Sequence, residues 1–470
     1  MRILHCSAEC YPYAKVGGLA DVVGALPKYQ NMLGHQASVV VPMHKTPFLF
    51  QHQWDVVYRG SIHLGYNTLS FTVIKEQSGE LGFDLFAIDI HGLLDREKVY
   101  GYDDDLQRFI AFQLAIVQWV VAVKDLPQMI HVHDHHTAMI PFFLKHTGHG
   151  SRITSIKTVL TIHNAQYQGN MPWHQSDVLP HWDGWKTGLM EWNDQINSLA
   201  CGIKCADKVN TVSHHYMHEL RHHANGLEKL FEYEMGKCSG IINGIDYDVW
   251  NPMTDQLITT HFNESDVMQG KELNKKDLCA QFGFDEQLPL FIFIGRLVYD
   301  KGADLLSSFI NAGFNKFGNN MNWLILGSGD RFLEDMLRGV AQHHSIHCKF
   351  VSEYNEPLSH QMYASADFLI MPSRVEPCGL NQLYALRYGT IPMVRRTGGL
   401  QDTVIDMGDE HGVGICFLHA KLEDMLHAMG RAMDLYHEKD MMEDLRKKMM
   451  KINNSWERSA RDYIDLYNSI

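Results

Sequence analysis

The chain has 470 residues, too many for a single hydrophobic core, and this length predicts two domains of about 200 residues each. Asp and Glu (55) outnumber Lys and Arg (41), so the net charge of −14 argues against non-specific binding to nucleic acid or to an anionic membrane. Nine scattered cysteines include no C-x-x-C pair and no zinc-ligand spacing. We expect a cytoplasmic protein, because no run reaches 18 apolar residues and the short N-terminal strand is not a signal peptide. In that compartment we expect the thiols to be reduced.

In the first half of the chain, strand-like runs alternate with helical patterns. Residues 54–90 differ, since three consecutive strand-like runs there predict an antiparallel insertion or sheet edge. Strands are predicted at 2–7, 37–42, 129–134, 157–163 and 208–213, and helices at 19–33 and 106–123.

A polar stretch without strong periodicity ends at Leu288, and a second series of strand and helix patterns follows it. Its strands are predicted at 290–296, 322–328, 347–353, 367–373 and 391–396, with a helical region after about residue 420. We predict an α/β protein with two doubly wound, Rossmann-like domains facing each other, and the polar stretch favours this arrangement over one large sheet. The predicted boundaries are 1–245, a connector at 246–288, a second domain at 289–454 and a final helix at 455–470.

Two basic, glycine-containing motifs follow predicted strands. KVGGLAD (15–21) opens the first helix. Lys15 supplies a positive charge, and Gly17 and Gly18 allow the backbone to approach an anionic ligand closely. The alternative is a tight turn with a surface lysine. IGRLVYDKGAD (294–304) puts Arg296 and Lys301 near one crevice, and two cations there suit a diphosphate. The alternative is that both are solvated charges on a loop.

The histidine-rich motif HVHDHHT (131–137) admits a metal site or a hydrogen-bonding group around Asp134. We favour hydrogen bonding, because the four histidines do not converge on one point in a strand followed by a turn. In TIHNAQYQG, His163 and Asn164 end another strand at the same crevice, although a structural histidine would fit equally well.

Glu376, in SRVEPCGLNQLYALRYG, lies between a buried strand and the first turn of a helix predicted to start near Gly379. A helix-capping role is possible. The following backbone N–H groups of Cys378, Gly379 and Leu380 also suit sugar and phosphate oxygens. RTGGLQDT (396–403) resembles a further nucleotide-side glycine turn, whereas the D-x-D string 246–248 is interpreted as linker structure and not as a metal site.

Taken in order and spacing, these motifs resemble the family of bacterial glycogen synthases and plant starch synthases over nearly the whole chain. The resemblance is carried by KVGGLADVVGALPK, HNAQYQG, NGIDYDVWNP and PSRVEPCGLNQLYALRYGTIPMVRRTGGLQDTV. It is stronger to the enzymes that use ADP-glucose than to those that use UDP-glucose. The chain departs from the family pattern at Val16, where many relatives have Thr, and in its additional histidines.

The resemblance implies the GT-B fold, with two Rossmann-like domains across a deep cleft and a last helix that returns to the first domain. It implies an acceptor-side first domain and a second domain that binds the nucleotide sugar. It further implies retaining transfer of glucose, without a metal or other cofactor, to the non-reducing end of an α-1,4-glucan. The implied catalytic residues are Glu376, His163, Arg296, Lys301 and Asp134, and the implied donor-binding residues are Lys15, Gly17, Gly18, Asn164, Asn243, Tyr354, Cys378, Gly379 and Leu380.

Three other functions remain open at this point. The enzyme could use UDP-glucose, or the chain could be an inactive glycan-binding protein of the same fold. An NAD-dependent dehydrogenase also has Rossmann domains, but GSGD (327–330) lacks the third glycine of the dinucleotide fingerprint. The expected partners are therefore ADP-glucose, or UDP-glucose as the alternative, and an α-1,4-glucan, with no nucleic acid and no membrane.

Overall fold

The computed structural model describes all residues from Met1 to Ile470. The chain forms two compact units: unit 1 is Met1–Ile241 with Trp456–Ile470, and unit 2 is Ile242–Ser455. None of its helices combines the length and the apolar character that crossing a membrane requires. All nine cysteines are free thiols.

Unit 1 is built on a nine-stranded sheet in the order β12-β11-β7-β6-β1-β2-β5-β4-β3, beside a small three-stranded sheet in the order β8-β10-β9. All pairings from β12 to β5 are parallel, while β4 pairs antiparallel with both β5 and β3. The predicted antiparallel edge at 54–90 is therefore confirmed. The strands are β1 Arg2–Cys6, β2 Gln36–Pro42, β3 Trp54–Leu64, β4 Asn67–Glu76, β5 Asp84–Asp89, β6 Met129–His133, β7 Lys157–Ile162, β8 Asn170–Met171, β9 Glu191–Trp192, β10 Gln195–Asn197, β11 Lys208–Thr211 and β12 Cys238–Gly240.

Helices surround this sheet, and its central strands are accordingly buried along their length. All five residues of β6 are buried, as the near-continuous apolar runs of a parallel sheet predict. The helices are α1 Gly18–Met32, α2 Pro47–Gln51, α3 Asp105–Ala122, α4 Ile140–His146, α5 Ser151–Thr154, α6 Ser198–Cys205, α7 His214–Leu220 and α8 Glu228–Tyr233. Short 3₁₀ turns lie at 173–178, 184–189 and 235–237.

Unit 2 contains a six-stranded sheet, parallel throughout, in the order β15-β14-β13-β16-β17-β18. Its strands are β13 Leu290–Ile294, β14 Asn322–Leu326, β15 Cys348–Val351, β16 Phe368–Met371, β17 Ile391–Arg395 and β18 Ile415–Phe417. Its helices are α9 Val267–Phe282, α10 Ala303–Phe317, α11 Arg331–His343, α12 Glu356–Ser365, α13 Asn381–Arg387, α14 Gly398–Thr403, α15 Leu422–His437 and α16 Lys439–Met450, with a 3₁₀ turn at 299–301.

The strand order of each sheet reverses at one place. In unit 1 the chain proceeds from β1 to β2 on one side and later from β6 to β7 on the other; in unit 2 the reversal lies between β13 and β16. Ligands of doubly wound sheets bind beyond the carboxyl ends of the strands at such a switch point. The two predicted Rossmann-like units are thus present, each with its own switch point.

The segment expected as a connector, 246–288, contains the 16-residue helix α9 and belongs to unit 2. The final helix α17, Trp456–Asn468, belongs to unit 1. Trp456, Tyr463 and Tyr467 of α17 are buried in one cluster with Ile3 of β1 and Tyr29 of α1. The end of the chain thereby becomes part of the core behind β1.

Candidate active site

Four of the residues selected from the sequence follow strands at or next to the switch point of each unit. Asp134 directly follows β6 and His163 directly follows β7 in unit 1. In unit 2, Arg296 follows β13 and Glu376 follows β16. Since β13 and β16 are neighbours in the sheet, their carboxyl ends open onto one edge.

A buried carboxylate that the sequence analysis missed holds the loop between β1 and α1. Glu9 is 3% exposed and accepts the backbone N–H of Val16 and, at 2.9 Å, that of Gly17. The Tyr100 hydroxyl donates to the other Glu9 oxygen at 2.7 Å. A single glutamate in CSAECYPY has no spacing that would identify it, because its partners are set only by the folded loop.

The fold itself does not require the two glycines of this loop. Neither Gly17 nor Gly18 has a positive φ, and a Cβ added at either would meet no atom within 4 Å. Lys15 is exposed beside them, with its ammonium 2.7 Å from the Asp21 carboxylate. The backbone of this loop is thus open on the side where a side chain would otherwise stand.

Asp134 joins the ends of β6 and β7. Its backbone is in the left-handed region (φ 55°), and its Oδ1 accepts the N–H of His163 at 2.7 Å and of Asn164 at 3.4 Å. Burial raises the pKa of Asp134 to about 7, against the opposing effect of these two amides. The structure therefore brings Asp134, His163 and Asn164 together, as the sequence predicts.

Two histidines of HVHDHHT, His131 and His133, make side-chain hydrogen bonds behind this trio, whereas the Nδ1 atoms of His135 and His136 are buried without a partner. His133 Nδ1 lies 3.1 Å from His163 Nε2, and His131 Nε2 lies 2.5 Å from Thr161 Oγ1. Nitrogen atoms of His5, His131 and His133 come within 4.8 Å of one another. His5, on β1, was not identified from the sequence.

In unit 2, Lys301 and Glu376 form a direct ion pair across 75 residues of sequence. The Lys301 ammonium lies 2.6 Å from each oxygen of the Glu376 carboxylate, and the Ser373 hydroxyl donates to Oε2 at 2.9 Å. Glu376 is only 4% exposed, whereas the Lys301 side chain keeps 27% of its surface in solvent. The ammonium is therefore bound to the carboxylate, and the Lys301 side chain as a whole remains partly accessible to solvent.

The helix predicted to start near Gly379 starts two residues later, so Glu376 is not at its amino end. Helix α13 begins at Asn381, five residues after Glu376, so its dipole is not what holds the carboxylate. The intervening loop leaves the backbone N–H groups of Cys378, Gly379 and Leu380 without partners in the chain, and Gly379 has a φ of 76°. The predicted backbone donors are thus present on a loop instead of a helix terminus.

The glycine turn of RTGG supports this loop by close backbone packing. A Cβ at Gly398 would lie 2.1 Å from the Glu376 carbonyl oxygen, and one at Gly399 would lie 2.1 Å from the Cys378 carbonyl oxygen. Gly399 also donates its N–H to the Glu376 carbonyl at 3.1 Å. These glycines are therefore explained by packing, where the sequence suggested contact with a nucleotide.

The glycines of GSGD have a similar explanation. A Cβ at Gly327 would lie 2.0 Å from the Gly295 carbonyl oxygen, and one at Gly329 would lie 2.4 Å from that of Leu297. The loop after β14 must therefore pack directly on the loop after β13, which carries Arg296.

The remaining predicted residues of unit 2 differ in exposure. Arg296 is exposed and its guanidinium has no hydrogen-bond or ion-pair partner in the chain. Tyr354, three residues after β15, is 75% exposed and donates its hydroxyl to Glu356 at 3.0 Å. Asn243 is buried with an unpartnered Oδ1. Burial raises the pKa of the Cys378 thiol to about 12, so it is a neutral group at this site.

The D-x-D string forms a local turn, in which Asp246 Oδ1 accepts the N–H of Asp248 at 2.9 Å. The Asp246 carbonyl also accepts the N–H of Trp250 at 2.7 Å. Both contacts fit the structural interpretation of this string.

Two Rossmann-like units with cationic, carboxylate and backbone donor groups after their strands are typical of glycosyltransferases, and comparison with known proteins shows that class here. The sequence profile described as the starch synthase catalytic domain matches residues 2–233, and that described as glycosyl transferases group 1 matches residues 274–449. Over its full length the chain is 47% identical to the glycogen synthase of Flavobacterium johnsoniae, covering 100% of this chain and 99% of the relative. The chain therefore belongs to the family of glycogen synthases and starch synthases, which is built on the GT-B fold.

More distant relatives give the same result. The glycogen synthase of Bacillus cereus is 36% identical, with full coverage of both chains. Among solved structures, the catalytic domain of starch synthase IV from Arabidopsis thaliana, bound to ADP and acarbose, superimposes with a TM-score of 0.88 at 30% identity, covering 100% of this chain and 99% of that one. Sucrose-phosphate synthase from Thermosynechococcus elongatus shares the fold, with a TM-score of 0.63 at 16% identity and coverage of 99% and 98%.

Proposed function

We propose that this enzyme transfers glucose from ADP-glucose to the non-reducing end of an α-1,4-glucan with retention of configuration. The observation that carries the proposal is the Lys301–Glu376 pair beside the unpartnered Arg296 at the β13/β16 switch point. The preference for an adenine nucleotide is supported by the similarity to a starch synthase that binds ADP.

The charges at this switch point suit the bond that breaks. Cleavage of the bond between C1 and the phosphate oxygen develops positive charge on the sugar ring and negative charge on the departing diphosphate. Arg296 and the partly exposed Lys301 are assigned to the diphosphate, and they provide the positive charge that a metal supplies in other transferases. Removing one such contact is expected to cost roughly 3 kcal/mol of barrier, or about 100-fold in rate.

Glu376 is assigned to the glucose. Its carboxylate, held by Lys301 and Ser373, orients the sugar hydroxyls and stabilises the cationic ring without attacking it. The backbone N–H groups of Cys378, Gly379 and Leu380 are assigned to sugar and phosphate oxygens. In the retaining step, the departing phosphate oxygen takes the proton of the acceptor hydroxyl on the same face of the ring, and that acceptor oxygen bonds to C1.

The remaining residues are assigned by unit. In unit 2, the nucleotide-sugar side, Tyr354 is placed at the adenine and Asn243 beside the loop that carries Cys378. In unit 1, the acceptor side, Asp134, His163 and Asn164 are assigned to the glucose. Lys15 and the open backbone of Gly17 and Gly18 are assigned to the diphosphate and sugar, since no contact within the chain accounts for those glycines.

The test is incorporation of radiolabelled glucose into glycogen from ADP-glucose and from UDP-glucose in parallel, with and without a chelator. We expect incorporation from ADP-glucose, undiminished by the chelator, and α-linked product by NMR. A preference for UDP-glucose would refute the donor assignment, strict dependence on a divalent cation would refute the Arg296–Lys301 assignment, and no incorporation from either donor would indicate a glycan-binding protein.

A further inference from the structure

Four buried or half-buried side chains of unit 1 form one hydrogen-bonded row that ends at the switch point. Gln30 Oε1, on α1, lies 2.8 Å from His5 Nε2. His5 Nδ1 lies 3.1 Å from His133 Nε2, and His133 Nδ1 lies 3.1 Å from His163 Nε2. Gln30, His5 and His133 have no measurable exposure, and His163 is half-buried. We call these four residues the Gln30–His163 row.

Every imidazole in this row is neutral. Burial lowers the pKa of His5 to about 4 and that of His163 to about 3, and it lowers the pKa of His133 well below the usual range. A neutral imidazole has one nitrogen that donates and one that accepts, so the proton position on one ring determines that on the next.

The carbonyl oxygen of Gln30 sets the direction of the row, because it can only accept. His5 must then carry its proton on Nε2 and accept at Nδ1. His133 in turn donates from Nε2 and accepts at Nδ1, so His163 donates from Nε2. The outcome at the switch point is a His163 whose Nδ1 is an unprotonated acceptor.

A second set of hydrogen bonds fixes the orientation of the Gln30 amide. Gln30 Nε2 donates to the Tyr467 hydroxyl at 3.0 Å, and this hydroxyl lies 2.7 Å from His131 Nδ1. His131 Nε2 donates to Thr161, whose hydroxyl donates to Asn210 Oδ1 at 2.6 Å. Asn210 Nδ2 donates to the Thr211 carbonyl oxygen at 3.5 Å, so the Asn210 oxygen faces Thr161. Turning the Gln30 amide over would reverse every proton along both sets and would turn the Asn210 oxygen towards that carbonyl.

The ring geometry favours hydrogen bonds over a metal ion at the same residues. His131 and His133 stack with centroids 4.3 Å apart at 24°. His5 and His133 lie edge to edge instead, with centroids 5.4 Å apart at 21°, the spacing of two nearly coplanar rings joined by their 3.1 Å hydrogen bond. Nitrogen lone pairs lie in the ring plane, so stacked rings do not direct them at one point. All six nitrogens of these three histidines also have hydrogen-bond partners.

We propose that Gln30, His5 and His133 are positioning residues that hold His163 protonated on Nε2, so that its Nδ1 accepts a hydrogen bond from a hydroxyl group of the donor sugar. The use of Nδ1 rests on the proposed function of His163. The proton position itself is a property of the folded chain alone. If His163 were protonated on Nδ1, its N–H would face the O–H of the sugar hydroxyl, and both are donors. The sugar hydroxyl would then have to rotate and give up its own donation to His163.

The experiment is ¹⁵N NMR of the full-length chain labelled at histidine, with His163 assigned by comparison with a His163→Gln variant. We expect His163 Nδ1 to resonate as an unprotonated nitrogen and Nε2 as a protonated one at neutral pH. Protonation at Nδ1 would overturn the proposal, and so would stoichiometric zinc retained by the purified chain, because ring nitrogens bound to a metal cannot transmit the proton order.

The matched pair of variants is Gln30→Met and Gln113→Met. Gln113 is also a fully buried glutamine of unit 1, bonded to Phe109 and Met139 and not to the row. Gln30→Met is expected to give a mixed His163 tautomer and about tenfold lower kcat, since one hydrogen bond to the sugar is lost in part of the molecules. Gln113→Met is expected to keep the wild-type tautomer.

An unchanged His163 tautomer in folded Gln30→Met would overturn the proposal, and if that variant does not fold, the wild-type spectrum decides. The NMR result is independent of catalysis. Absence of glucose incorporation by the wild-type chain would therefore refute the proposed function while leaving the proton order of the row to be judged by the spectrum alone.

Discussion

Two buried polar clusters, one in each unit, are stabilised by different means. Behind its switch point, unit 1 buries neutral histidines joined to one another, to Gln30 and to hydroxyl groups. Unit 2 buries full charges: Asp367, directly before β16, lies 2.7 Å from the Lys275 ammonium and 2.8 Å from the Arg446 guanidinium. The same kind of sheet is thus supported by proton order in one unit and by compensated charge in the other.

The difference has consequences for how each unit tolerates change. A neutral network depends on the tautomer of each ring and loses its order when one ring becomes charged. A charged network depends on the balance of its charges: burial alone would raise the pKa of Asp367, but Lys275 and Arg446 outweigh it and bring the pKa to about 2. Removing one buried charge should therefore cause the larger loss of stability in unit 2. Lowering the pH should destabilise unit 1 first.

The largest effect on stability is expected from Asp367→Ala. The substitution leaves Lys275 and Arg446 buried without their counter-charge, which typically costs about 3 to 5 kcal/mol. Urea unfolding followed by circular dichroism measures the loss. Asp304→Ala is the control, because its partner Arg374 is partly exposed and the expected loss is about 1 kcal/mol or less. Equal losses in the two variants would contradict the charge-balance account of unit 2.

The next largest effect is expected on catalysis, from Glu376→Ala. ADP binding by calorimetry should be retained while kcat falls on the order of 100-fold, because the variant loses the carboxylate assigned to the sugar. The control is Ser373→Ala, which removes one hydrogen bond to Glu376 and keeps the Lys301 pair, so its kcat should fall less. Weakened ADP binding with normal kcat would show instead that Glu376 only anchors Lys301.

Apolar periodicity predicted much of this fold, because the parallel strands are continuous apolar runs that only a covered sheet can bury. The helix within 246–288 was not recognised from the sequence, for a specific physical reason. Helix α9 buries Lys271, Asn274 and Lys275 in the middle of its inward face, between apolar residues at its two ends, so the sequence shows no continuous apolar stripe. Lys271 is bonded to three backbone carbonyls and to Thr390, partners that exist only after folding.

The candidate site was predictable where one motif carried it, and not where distant segments meet. Lys301 and Glu376 were each identified from local motifs, but their pairing joins the loops after two different strands. Glu9 and Gln30 escaped detection because a single Glu or Gln has no diagnostic spacing. The bond from Gln30 to Tyr467 spans 437 residues and exists because α17 packs against α1.

Acidification is expected to destabilise unit 1 at a higher pH than unit 2. A histidine with a lowered folded pKa binds its proton first in the unfolded chain, so stability falls as the pH drops below about 6.5 towards about 4. Seven buried or half-buried histidines of unit 1 share this direction: His5, His44, His131, His133, His135, His136 and His163. Asp134, with its pKa raised to about 7, and Asp89, whose pKa is also raised by burial, oppose them as two groups against seven.

In unit 2 the pH dependence of stability comes from carboxyl groups whose pKa is lowered in the folded state. Asp367 and Asp406 have pKa values of about 2, so the stability they contribute persists above about pH 4 and is lost only between about pH 4 and 2. Hydrogen exchange at about pH 5, corrected for intrinsic rates, should show lost protection in β1, β6 and β7 and retained protection in β13 and β16. Simultaneous loss in both sets of strands would contradict this difference between the units.

The smallest effect on stability is expected from Gly18→Ala, and it contrasts the glycine loops of the two units. A Cβ at Gly18 meets no atom of the chain and φ is not positive, so the melting temperature should stay the same or rise slightly. The KM for ADP-glucose should nevertheless rise, because the methyl group occupies the open side of the loop assigned to the donor.

Gly399→Ala is the matched control in unit 2. Its Cβ would lie 2.1 Å from the Cys378 carbonyl oxygen, so the loop that carries Glu376 must shift and the melting temperature should fall along with kcat. Gly18→Ala therefore isolates ligand access, whereas Gly399→Ala reports packing. A stable Gly18→Ala variant with wild-type KM would show that its glycine serves neither the fold nor the donor, and would remove the loop from the proposed site.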